Sequence, residues 1–102
     1  MLPEAFLERM KRQLGDEYER YLDSLNRSRA VALRFNPLKG EIPQLPFVGQ
    51  PVPWEPMGYY YDPDARPGLH VFHEAGVYYL QEASAMAPVA LLDPQPGERV
   101  CD

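Results

Sequence analysis

Apolar residues open the chain at helical spacing. Phe6, Leu7, Met10 and Leu14 fall on one face of a 3.6-residue period and predict a first helix. Pro3 suits its first turn, where a missing amide costs nothing, and Gly15 suits its end. Asp16 with Glu19 has the spacing of a capping box for a second helix. Tyr18, Tyr21, Leu22 and Leu25 give that helix its own stripe, and the two stripes are expected to pack as core. The period then changes to two. Ala30 to Phe35 is an expected strand, with Val31, Leu33 and Phe35 on one face and Arg34 on the other. Asn36-Pro37 is a turn signal. No period emerges from Lys39 to Gln50, and Pro43 and Pro46 exclude a continuous helix there. Val52-Pro-Trp54 and Gly58-Tyr-Tyr-Tyr61 read as two short antiparallel strands turning through Glu55-Pro-Met57. A loop follows from Asp62 to Gly68.

The last third reads differently. Val77 to Gln81 is β-branched and aromatic and predicts a strand. Ser84 offers an N-cap for a short apolar helix over Ala85 to Leu92, with Pro88 inside it. Asp93-Pro-Gln-Pro-Gly97 stops that helix, and Glu98 to Asp102 begins another strand. A strand, a helix, a turn and a strand ending in Asp form the entry to a nucleotide-binding α/β domain. The fold class expected is α+β. Two amino-terminal helices and a small mixed sheet occupy residues 1–68, and residues 69–102 start an α/β domain.

Composition narrows this picture. The chain of 102 residues has twelve prolines, eight of them between Pro37 and Pro67, which makes the middle extended and turn-rich. Cys101 is the only cysteine, so no internal disulfide is possible. No signal peptide is evident, no apolar run approaches the ~20 residues of a membrane helix, and the chain is expected in the cytoplasm. The net charge of −5 argues against a stand-alone nucleic-acid binder. The distribution matters more than the total. Residues 1–39 carry eight Lys or Arg and six acids, while residues 40–102 carry two and nine. Arg27, Arg29, Arg34 and Lys39 form a basic strip from Ser24 to Gly40 that contains no acid.

Few residues carry chemistry by type alone. Arg34 and Lys39 could hold phosphates and Asn36 a base or sugar edge; equally, Asn36 could set the turn before Pro37 and Arg34 could be solvated. Trp54 and Tyr59 to Tyr61 could stack on unpaired bases or belong to the core. His70 and His73, followed by Glu74, have a spacing that puts two imidazoles on one side of a helical turn. No third ligand is evident, so a packed or surface histidine pair is the expected reading and a metal enzyme the weaker one. Cys101, beside Val100, is expected as a small buried hydrophobe.

The residues from Pro67-Gly-Leu-His-Val-Phe-His-Glu-Ala-Gly-Val-Tyr-Tyr-Leu-Gln-Glu-Ala-Ser-Ala-Met-Ala-Pro88 through Val-Ala-Leu-Leu-Asp-Pro-Gln-Pro-Gly-Glu-Arg-Val-Cys-Asp102 closely resemble the start of the methyltransferase region in the Nol/Nop/Sun family of RNA cytosine-5 methyltransferases. The branch acting on bacterial small-subunit (16S) ribosomal RNA is nearest. Weaker resemblance runs through Leu2-Pro-Glu-Ala-Phe6, Leu33-Arg-Phe-Asn-Pro-Leu-Lys39 and Val52-Pro-Trp54. The resemblance implies an amino-terminal fragment ending before the cofactor loop, inactive alone, that helps position RNA. Arg34, Asn36 and Lys39 match the family's Arg-x-Asn-x-x-Lys pattern; with Arg27 and Arg29 they are the implied RNA contacts. Gln81, Ser84 and Asp102 match positions bordering the S-adenosylmethionine pocket. The catalytic cysteines and the glycine-rich cofactor loop are expected downstream, so no catalytic residue is assigned here and the fragment is expected to bind no cofactor alone. Self-association through the strand at the cut end is also expected. The reading from a different class is a stand-alone interaction module built on the proline- and aromatic-rich middle.

Overall fold

The computed structural model describes residues 1–102. Helix α1 spans Glu4–Leu14 and α2 spans Tyr18–Leu25. Pro3 is the N-cap of α1 rather than a first-turn residue, and its carbonyl accepts from the amides of Phe6 and Leu7. Gly15 closes α1 at φ 52°, a left-handed value that suits a residue without Cβ. The expected capping box does not form. The chain passes straight from Gly15 into a 3-10 turn, Gly15–Glu17, so Asp16 lies inside a helical turn and not before one. The apolar stripes of α1 and α2 are also less buried than expected. No residue of either helix is fully buried, and none joins the clusters that form the core.

The core lies in a four-stranded sheet: β1 Ala32–Phe35, β2 Val48–Pro51, β3 Gly58–Tyr61 and β4 Tyr78–Leu80. Their order is β2-β3-β1-β4 and every pairing is antiparallel, so the sheet is not mixed. β2 lies earlier than the expected strand at Val52-Pro-Trp54, which instead forms the connection to β3. A strand ending in Pro51 suits a sheet edge, where a missing amide removes no ladder bond. β4 pairs with β1, not with Glu98–Asp102. Residues Pro94 to Asp102 form no strand and are exposed, Cys101 included, which removes the expectation of a buried thiol.

The connections of this sheet are a 3-10 turn, Pro37–Lys39, after β1, and a second turn, Pro67–Leu69, with helix α3, Val71–Glu74, after β3. The sequence of elements is a reduced split βαβ, or ferredoxin-like, arrangement. Alternation along β1 builds two different faces. Leu33 and Phe35 point to a closed face, where they pack with Tyr78 beneath Phe47, Tyr59, Phe72 and Leu80. Phe35 meets Tyr59 and Tyr78 edge-on, with ring centroids 5.6 and 6.0 Å apart. Ala32 and Arg34 point the other way, to a face that α4, Ala83–Leu92, and the β2–β3 connection cover in part. Met86 of α4 is fully buried there against Ala32 and Val52, with Tyr60 beside them. Gly58 makes this docking possible. A Cβ on it would stand 2.7 Å from Met86 Sδ and 3.1 Å from Val52 Cβ.

α4 begins earlier than expected. Glu82, not Ser84, is its N-cap, and no side chain caps it. Pro88 is accommodated within the helix, and Asp93 closes it in the left-handed region at φ 46°. Val89, Leu91 and Leu92 are exposed, whereas Met86 is buried. No helix is long and apolar enough to cross a membrane.

Tyr78 anchors β4 by donating its phenol proton to the Pro67 carbonyl at 2.5 Å. Burial, and secondarily the neighbouring Tyr61, push this phenol above its usual value of 10.0. The phenol is neutral in both states below 10, so its stabilisation is fully present there. It is lost as pH rises through the folded value, because the unfolded chain releases the proton first. Urea midpoints measured from pH 8 upward should therefore decline more steeply in the parent than in Tyr78→Phe. Parallel declines would show that the phenol is not the group responsible.

Candidate nucleic-acid interface

The basic strip is not uniform once folded. Arg27 follows α2 and pairs with Asp23 one turn back. Arg29 crosses to Glu82 at 2.7 Å. Arg34 sits mid-strand on the open face and donates from Nε to Gln81 Oε1 at 3.0 Å, a neutral partner. Lys39 ends the 3-10 turn after β1, with its stem over the α3–β4 turn; a Cβ on Gly76 would lie 3.5 Å from Lys39 Cε. The two ion pairs of the chain engage Arg27 and Arg29, so Arg34 and Lys39 keep charges that no acid neutralises by contact.

Asn36 works structurally. Its Oδ1 accepts from the Leu38 amide at 3.1 Å, and its Nδ2 donates to the Gly76 carbonyl at 3.3 Å. Its backbone amide donates to Val77 at 2.8 Å. These bonds fix the turn that carries Lys39 beside the start of β4.

The aromatic residues divide by strand parity. Tyr59 and Tyr61 pack on the closed face and Tyr60 against the Ala32–Met86 cluster. Trp54 is partly exposed, and its indole N–H donates to the Ala83 carbonyl at 2.7 Å, tying the β2–β3 connection to the start of α4. Tyr79 was not among the sequence candidates, and it is the aromatic that faces out from the sheet, 62% exposed. It lies directly across from Arg34 in the β1–β4 register. The signal was available in principle: adjacent Tyr78 and Tyr79 in one strand must face opposite ways, so only one can enter the core.

The histidines do not share a helical face. His70 precedes α3 as its N-cap and accepts the Phe72 amide at Nδ1, 3.1 Å away. His73 lies within α3, its ring tilted against Tyr78. No three His, Cys, Asp or Glu side chains converge as metal ligands.

Gln81, Ser84 and Asp102 are not brought to one pocket. Gln81 borders a small pocket of about 80 Å³ with Arg34, Glu55, Met86 and Val89. Ser84 lines a separate apolar groove beside Trp54, Pro88 and Leu91. Asp102 ends the exposed tail. These residues by themselves do not fit S-adenosylmethionine: the donors are dispersed, and the Gln81 amide oxygen is already engaged by Arg34.

Comparison with known proteins gives a consistent answer. The family described as the N-terminal domain of 16S rRNA methyltransferase RsmF matches residues 2–83. A protein of Cronobacter sakazakii named ribosomal RNA small subunit methyltransferase F is 36% identical over an alignment covering 99% of this chain and 24% of its own length. Proteins of the same name from Klebsiella pneumoniae and Erwinia tasmaniensis are 35% and 34% identical, covering 98% and 88% of this chain. The chain spans about a quarter of the length of these curated relatives. A match that reaches from α1 through β4 into the start of α4 places this chain in the family of RsmF N-terminal domains.

Proposed function

We propose that this chain is the RNA-positioning part of a cytosine-5 methyltransferase acting on 16S ribosomal RNA. In that reading the whole protein transfers a methyl group from S-adenosylmethionine to carbon 5 of a cytosine. The cysteine nucleophile and the main cofactor contacts then belong to the remaining three quarters of such a protein. Gln81, Ser84 and Asp102 would contribute to the cofactor site only as its border. The division of labour proposed is a positioning unit over residues 1–68 leading into a catalytic unit from residue 69, with β4 as the strand that ties the second to the first.

The observation that carries the reading is the pairing state of the basic strip. Arg34 on the open sheet face and Lys39 over the α3–β4 turn are cations that no acid contacts, on a chain of net charge −5. In RNA-recognition motifs a four-stranded sheet stacks unpaired bases on its exposed face, a likeness of fold that supports the reading. Arg27 and Arg29 hold phosphates only by leaving Asp23 and Glu82, exposed pairs worth about 0–1 kcal/mol each. Asn36 acts by shaping the turn.

Single-stranded RNA should bind with a dissociation constant of about 10⁻⁴–10⁻⁶ M near physiological salt, as weak non-specific contact to phosphates does. Arg34→Ala with Lys39→Ala removes two phosphate contacts and should flatten the log–log salt slope by about 1.4. Fluorescence anisotropy over a salt series reads both quantities. A double variant with the parent's slope would mean that the two cations face only solvent.

A further inference from the structure

The open face of the sheet is divided in two by α4. Over β3 and the start of β1, Met86 buries Ala32 and packs with Tyr60, and a side chain on Gly58 would collide with it. Over the middle of β1, Met86 and Val89 of α4 border a small pocket with Arg34, Glu55 and Gln81, while α4 packs on β3 and leaves β4 open. Tyr79 stands there 62% exposed, and no hydrogen bond or aromatic contact engages its ring. Arg34 is its direct cross-strand neighbour. Side chains opposed in this way have Cβ atoms about 4.5–5.5 Å apart, so a planar ring lying on Tyr79 has the Arg34 guanidinium within reach of its edge or its phosphate. Gln81 holds that guanidinium by Nε and leaves its terminal nitrogens free to donate. Lys39 adds a second cation beside Gly76, in the turn that leads from α3 into β4.

An exposed aromatic with an unpaired guanidinium directly across from it, and a lysine at the turn that enters its strand, fits one ligand chemistry better than any other: an unpaired nucleobase with its phosphates. A docking surface for an apolar peptide would not set an uncompensated guanidinium across from its exposed ring. We infer that Tyr79 is a stacking residue for a single unpaired base of the RNA, with Arg34 holding the adjoining phosphate. This inference rests on the RNA reading above and adds to it a position and a strand state. β3 supplies no platform here, because α4 already occupies its half of the face.

The test uses the full chain and a fluorescein-labelled RNA 12-mer, single-stranded or annealed to its complement. The single strand should bind more tightly than the duplex, whose bases are already stacked. Tyr79→Ala should weaken single-strand binding about fivefold or more and leave the salt slope at the parent value, since stacking releases no counterions. Tyr79→Trp should retain binding, and Tyr79→Leu should behave like Tyr79→Ala while keeping apolar bulk. Each variant should melt with the parent, because Tyr79 is exposed. Equal binding by parent and Tyr79→Ala, or equal binding of duplex and single strand, would overturn the stacking site and leave the RNA reading standing. No binding of either RNA by the parent would remove the RNA reading, and the stacking site with it.

Discussion

Phe35→Ala should cost about 3–5 kcal/mol, enough to unfold the sheet of a domain this size. Phe35 lies in β1, a central strand bonded to β3 on one side and β4 on the other. It is 1% exposed, and its backbone amide donates to the Met57 carbonyl at 2.9 Å. The ring is the common edge-on partner of Tyr59 and Tyr78. Truncation therefore leaves a void bounded by two other large rings, neither of which can rotate into it without leaving its own contacts. Urea unfolding followed by the emission of Trp54, the single tryptophan, reads the loss. A midpoint corresponding to less than about 1.5 kcal/mol would mean that the aromatic cluster re-packs and is not a fixed core.

Met86→Ala should cost about 2–5 kcal/mol by the same cavity argument, but the loss is expected to be local. Met86 is the one fully buried residue of α4, and its outer side chains Val89, Leu91 and Leu92 make no comparable anchor. Losing it should free α4 from β3 and break the bond from Trp54 to Ala83. Hydrogen exchange should then accelerate across Ala83 to Leu92 while Leu33 and Phe35 stay protected. The emission of Trp54 should shift to the red as its indole meets water. Unchanged exchange in α4 would place the anchor elsewhere, in the tryptophan bond rather than in the buried methionine.

The elements that sequence reading located are those whose signal is local. The period of Phe6, Leu7, Met10 and Leu14 gave α1 within a residue, and the alternation of Leu33, Arg34 and Phe35 gave β1 with its two faces. β2 was placed too late because Val48-Gly-Gln-Pro51 has no alternation of its own and is a strand only by pairing with β3. The α1 and α2 stripes showed which faces are apolar but not what covers them, and in the fold they stay half-buried. Ser84 has the chemistry of a cap, yet Glu82 takes the position because the backbone turns from extended to helical there. Among the candidate residues, Arg34 and Lys39 emerged with free charges, while Asn36 was claimed by its turn. Tyr79 went unseen because a run of two tyrosines hides its own alternation: the residue type gives no hint of which ring faces inward.

The separation of the helical pair from the sheet has a thermodynamic consequence. The radius of gyration is 17.5 Å, against about 13 Å for a compact chain of this length. Between α2 and β1 the one side-chain hydrogen bond to the rest of the molecule is the exposed pair of Arg29 and Glu82, which transmits at most about 1 kcal/mol. Cooperativity requires that breaking one part weakens the other by more than thermal energy at many points, and here the coupling runs through little more than the connector. The helices, 11 and 8 residues long, are near the length at which isolated helices are marginal in water. They should open well before the aromatic cluster does. For this chain, melting is two events of unequal size, and no single transition temperature describes both.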